Sequence, residues 1–183
     1  MRYICFAILF PLLSCQQNKS ALHSTGTSTD STPLIETNIP TTTSLDTAEV
    51  KSWLIQTIED FFRAPDIDMQ SITTPEYYEF KTDAMNVDMG TEKSLTENEF
   101  YTKWRYKYDP YIHPIQVGFL ISGQDFGSIK VPYAHVKRLD DDTKTIVFSL
   151  IIRDEDFKID YDRDIIIISQ EGKYLISDVL EYD

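Results

Sequence analysis

Apolar residues recur along this chain with two different periods, and the change from one to the other divides it. Val50, Trp53, Leu54, Thr57, Ile58, Phe61 and Phe62 repeat at intervals of three and four, the spacing of one helix face. Asp46 precedes the run with Glu49 three residues on, a capping arrangement, and Pro65 stops it. The pattern predicts an amphipathic helix ending near Ala64. A second helix is predicted to open at Thr74-Pro75-Glu76, with proline at its first position, and to carry Tyr77, Tyr78, Phe80 and Met85. A third is predicted to open at Thr96-Glu97-Asn98-Glu99, to carry Phe100, Trp104 and Tyr108, and to end at Asp109-Pro110.

From Ile115 onward the period falls to two. Gln116–Ser122, Ser128–Leu139, Thr143–Arg153, Asp164–Ser169 and Lys173–Leu180 read as five strands, with hairpin turns in LDDDT (139–143) and SQEGK (169–173). Helices first and an antiparallel meander after them predict one α+β domain over residues 47–183, with a single core. Between the first two strands lies GQDFG, Gly123 to Gly127. Its glycines suit a turn, with Asp125 bonding local amides and Phe126 packing inward. The alternative is a site, with Gln124 and Asp125 at the mouth of a pocket.

The stretch ahead of the domain has another character. Residues 16–46 are dominated by serine and threonine, with Pro33 and Pro40 and few large apolar side chains, which predicts a disordered tether rather than a domain. Ahead of it, Arg2 and an apolar run from Ile4 to Leu13 have the length of a signal-peptide core and are too short to span a bilayer. That run ends in Leu12-Leu13-Ser14-Cys15, which resembles the lipobox of bacterial lipoproteins. The resemblance implies removal of residues 1–14, lipidation of Cys15 and a tether over 15–46. Several acyl chains on one residue anchor a domain durably where a single chain binds reversibly. Gln16, in place of an aspartate, points to the outer membrane of the cell envelope.

Cys5 and Cys15 are the only cysteines. With one lost and the other acylated, the mature domain has no thiol for disulfides, nucleophilic catalysis or thiolate metal binding. The formal charge of -13, from 17 basic and 30 acidic residues, argues against a phosphate-backbone partner in the absence of a basic patch, so no nucleic acid is expected. The most basic stretch, Lys103-Trp104-Arg105-Tyr106-Lys107, reads as one face of a helix.

Three N-terminal helices, a second helix opening at Thr-Pro, and YDPYIHPIQVGFLISGQDFG leading into a long-stranded sheet resemble the nuclear-transport-factor-two-like cone fold. More narrowly, the chain is similar to a domain of unknown function in bacterial lipoproteins and periplasmic proteins, where an Asp-Pro segment precedes a Gln-Asp pair. The resemblance covers Thr47 to Asp183. It implies a curved, cone-like sheet whose concave face and helices enclose a pocket, and homodimers that pair through their sheets.

Cone-fold isomerases and dehydratases use a pocket carboxylate beside a phenol or imidazole, which nominates Asp125 as base and Tyr77, Tyr78, Tyr108 or His113 as donor. With eleven tyrosines and thirty acids, some such combination is guaranteed, so catalysis is the weaker reading. The histidines, His23, His113 and His135, show no HxH or HxxxH spacing, so no metal site or cofactor is expected. Asp160, Asp162, Asp164 and Glu171 fall at calcium-loop positions, yet Ile165 stands where the sharp turn needs glycine. Aromatics at helical spacing read as core, with Trp104 and Tyr108 as the residues to line a pocket or partner surface. The expectation is a lipid-anchored, non-catalytic binding or interaction module, bound by Gln124, Asp125, Trp104 and Tyr108 to a small molecule or envelope protein. The alternatives are an isomerase- or dehydratase-type enzyme and an immunity or inhibitor protein.

Overall fold

A computed structural model describes residues 45–182. The signal peptide, Cys15 and nearly all of the tether read from the sequence lie outside the described residues.

Four helices precede four strands: α1 (Thr47–Arg63), α2 (Met69–Ile72), α3 (Pro75–Met85), α4 (Glu97–Trp104), β1 (Ile129–Asp140), β2 (Thr145–Asp154), β3 (Ile159–Gln170) and β4 (Lys173–Glu181). The strands form an open antiparallel meander in the order β1-β2-β3-β4, with helices packed against it. The domain is therefore α+β.

Each predicted helix start is held by a side-chain cap, at Asp46 and Thr96 as the spacing predicts and also at Thr74. Asp46 accepts the amides of Ala48 and Glu49, Thr74 Oγ1 accepts the amide of Tyr77, and Thr96 and Glu99 form a reciprocal capping box. Val50, Leu54 and Ile58 of α1 are fully buried. The short α2 was not anticipated; Asp68 caps it through the amide of Ser71. The basic stretch at 103–107 is not a single helix face, because α4 ends at Trp104 and Arg105 is its C-cap.

The sheet has four strands among the described residues rather than about five. Gln116–Ser122 is a chain of bends and turns. Gln116 and Leu120 take positive φ, 60° and 71°, which an extended ladder forbids. Phe119, Leu120 and Ile121 are buried one after another, so the segment plugs the core instead of alternating between two faces. β3 begins at Ile159, not at Asp164, and it absorbs the acidic run. Asp160 pairs with Arg153 on the neighbouring strand, and Asp164 is buried beneath Lys137 and Tyr182. Among the described residues no group of three or more His, Cys, Asp or Glu side chains is placed to hold a metal ion.

At the β3–β4 hairpin, Glu171 and Gly172 both take positive φ, 52° and 75°, the two-residue turn whose twist matches its flanking strands. The free edge of β4 is covered by neighbouring chain: Thr74 donates its amide to Ile176 O and Glu181 donates to Ile112 O. The free edge of β1 is broken up by Pro132, by register shifts at 130/133 and 136/138, and by Lys137 and Arg138.

Candidate functional site

GQDFG is a fastened loop ahead of β1. The Asp154 carboxylate at the end of β2 accepts amide hydrogens from Gly127, Asp156 and Phe157 at 2.7, 2.9 and 3.0 Å. Desolvation opposes its ionisation, but these amides prevail and hold it below the usual carboxylate range. Asp156 in turn accepts the amide of Ser128. The loop and the β2–β3 turn lie so close that a Cβ on Gly127 would stand 2.2 Å from Asp156 Oδ2, which is why glycine is needed there. Phe126 meets Phe62 edge-on, ring centres 4.9 Å apart. Gln124 and Asp125 are exposed; the adjacent apolar cleft is lined by Gly123 and Phe126.

The polar groups that do converge lie at the seam between α3, the 105–115 segment and β4. Two sets of them stand there, one sealed and one open.

The sealed set is a buried charge cluster. Tyr77 and Lys81 sit one turn apart on α3, and both are within 2% of full burial. Lys81 Nζ donates to Glu181 Oε1 at 2.5 Å, and Arg163 Nη2 stands 3.8 Å from Glu181 Oε2. Arg163 also donates to Leu120 O and to Ser122 Oγ, so the cation secures the strained plug. Burial pulls the Lys81 ammonium below its ordinary range although Glu181 pulls the other way. Burial, reinforced by Asp178 and Glu181, pushes the Tyr77 phenol well up. Tyr77 Oη and Glu181 Oε2 are fully buried without a hydrogen-bond partner among the described residues.

The open set lines a cleft of about 520 Å³ formed by Thr74, Pro75, Glu76, Lys107, Tyr108, Ile166, Ile168, Gln170, Ser177 and Asp178. Its size falls within the range of small-ligand sites. A bulge in β4 between the pairs Ile167–Ile176 and Ile166–Asp178 re-aims the strand at this point. Behind the cleft, His113 is 5% exposed, with Nδ1 2.8 Å from Asp109 O and Nε2 2.8 Å from Asp178 Oδ1. Both ring nitrogens are thus engaged by protein oxygens, and neither is free for a substrate. Tyr108 stacks on Phe80 at 3.7 Å, and burial, with the charges of Asp178 and Glu76, keeps its phenol protonated well above the usual range.

Of the residues nominated from sequence, Tyr77, Tyr108 and His113 come together at this seam. Trp104 is buried beside them, its Nε1 donating to Asp83 at 2.9 Å. Tyr78 is half-buried against the core. His135 lies on β1, exposed beside Tyr133. Asp125 shares neither a hydrogen bond nor the cleft with Tyr78, Tyr108 or His113. Asp178, Glu181, Lys81 and Arg163 were missed; the available signal was charge interrupting an apolar helix face or strand, as in LISDVLE (175–181).

No protein-family model, no curated protein and no solved structure matches this chain.

Proposed function

We propose that this chain is a lipid-anchored envelope protein whose folded domain, cone-like in architecture, is a non-catalytic binding module, with its ligand seated in the cleft between α3 and β4. The observation that carries the binding role is the pairing of that cleft with an imidazole whose two nitrogens are both engaged by protein acceptors. A general base must reach its substrate's proton, and both nitrogens of His113 are already engaged within the protein. The carboxylate nominated as base, Asp125, is exposed in the GQDFG loop and does not line the cleft. The strand irregularities, which bend a sheet, support the cone-like shape. The lipobox-like Leu12-Leu13-Ser14-Cys15 and the tether support the anchor.

Two measurements test the two halves. Labelled palmitate and detergent-phase partitioning are expected in the wild type and lost in Cys15→Ala; an unlabelled, aqueous wild type overturns the anchor. For the domain, amide spectra of the full chain in detergent micelles are expected to shift saturably at Thr74, Lys107, Tyr108 and Asp178 when a low-molecular-weight envelope extract is added. Shifts confined to other surfaces overturn the cleft as the seat.

A further inference from the structure

The cleft is rich in polar groups. Lys107 is ion-paired to Glu76, and one oxygen of Asp178 is held by His113. What the walls leave unsatisfied is hydrogen-bonding capacity. Asp178 Oδ1 is taken by His113 and by the amide of Val179, whereas Oδ2 has no partner among the described residues. The hydroxyl of Tyr108 has none either, and its protonated state makes it a donor. Thr74 Oγ1 accepts the amide of Tyr77 and keeps its own hydrogen to give. The exposed amide of Gln170 adds a donor and an acceptor at the rim. Ile166, Ile168 and Pro75 supply an apolar strip beside these groups.

Spare donors and acceptors beside an apolar strip match groups that donate and accept through one atom. Hydroxyls do so; ammonium groups only donate and carboxylates only accept. We infer that the cleft binds a neutral polyhydroxylated ligand, a sugar, with hydroxyls bridging Asp178 Oδ2 and the Tyr108 hydroxyl and the C–H face of the ring against Ile166 and Ile168. This rests on the reading of the cleft as a ligand seat and adds the chemistry of its occupant. A free monosaccharide and a residue within a glycan chain present the same groups.

The test uses the full chain in detergent micelles, titrated separately with glucose, cellobiose, ethylammonium chloride, sodium acetate and N-methylacetamide, and read by amide shifts at Thr74, Lys107, Tyr108 and Asp178. Saturable shifts with the sugars, at lower concentration than with the other three probes, are expected. Tighter binding of cellobiose assigns the site to a glycan chain; equal or weaker binding assigns it to a free sugar. Tyr108→Phe, which keeps the ring stacked on Phe80, is expected to weaken sugar binding about tenfold, the worth of one hydrogen bond in a desolvated site. Gln170→Ala, at an exposed position, is expected to weaken it by a smaller factor with the fold intact. Saturation by an ion or the amide without the sugars overturns the ligand class and leaves the binding reading standing. If no probe moves these amides, both fall.

Discussion

Asp178 and Glu181 lie three residues apart on one strand and have opposite fates. Glu181 turns inward under α3, where Lys81 and Arg163 close over it, and nothing outside the protein can reach it. Asp178, re-aimed by the bulge, faces a cleft with one oxygen held by His113 and the other left over. The sealed cluster is held together by the cost of separating charges already out of water. The open pair leaves hydrogen-bonding capacity for something else. Burial, more than residue type, decides which carboxylate is structural and which is available.

The contrast is broken most severely at Glu181. Glu181→Ala strands two cations in the core and is expected to cost about 3–5 kcal/mol in urea unfolding; adding Lys81→Met to the same chain should recover part of it, because one uncompensated charge then remains. Asp178→Ala should cost less, about 1–3 kcal/mol, since it orphans a single imidazole nitrogen rather than two buried cations. Tyr77→Phe removes a buried hydroxyl that has no partner, so it is expected to be neutral or to stabilise by about 1 kcal/mol, with the shift in thermal midpoint as the measurement. Tyr108→Phe should change stability by less than that while weakening ligand binding, which separates an available hydroxyl from a sealed one.

Asp164 is an intermediate case, buried but on the outward face of β3. Desolvation would raise its carboxyl, yet Lys137, Tyr182 and Ser149 outweigh it and hold the group below its ordinary value. A depressed folded value means the unfolded chain binds the proton more readily. Its stabilisation is therefore complete above the unfolded carboxyl's pKa, about 3.9, and is lost as pH falls through the lower folded value. Acid unfolding followed by circular dichroism should show a shallower loss below about pH 4 in Asp164→Asn than in the wild type.

Local chemistry was legible in the sequence and distant chemistry was not. The helix starts at Asp46, Thr74 and Thr96 were readable because caps and a first-position proline act within three residues, and the Glu171-Gly172 turn because its backbone needs are local. Gln116–Ser122 was misread as a strand because Val117, Phe119 and Ile121 alternate as a strand's residues do. Its actual conformation is imposed from afar by Arg163, 43 residues on from Leu120, and by Gln116 bonding to Ala84 and Val87 near the end of α3. The acidic run at 160–164 hid the first half of β3, because its carboxylates lie on the outward face and find their cations on other strands, Arg153 and Lys137. The cleft was half visible: Tyr108 and His113 stood out by type, while Asp178 became meaningful only once the bulge placed it beside them.

The interrupted edge of β1 bears on crowding. Molecules crowded side by side present their outermost strands to one another, the geometry from which fibrils grow. A proline without an amide hydrogen, two breaks in register and adjacent cations interrupt that edge where a neighbour would have to pair. Such an edge is a poor template for strand addition.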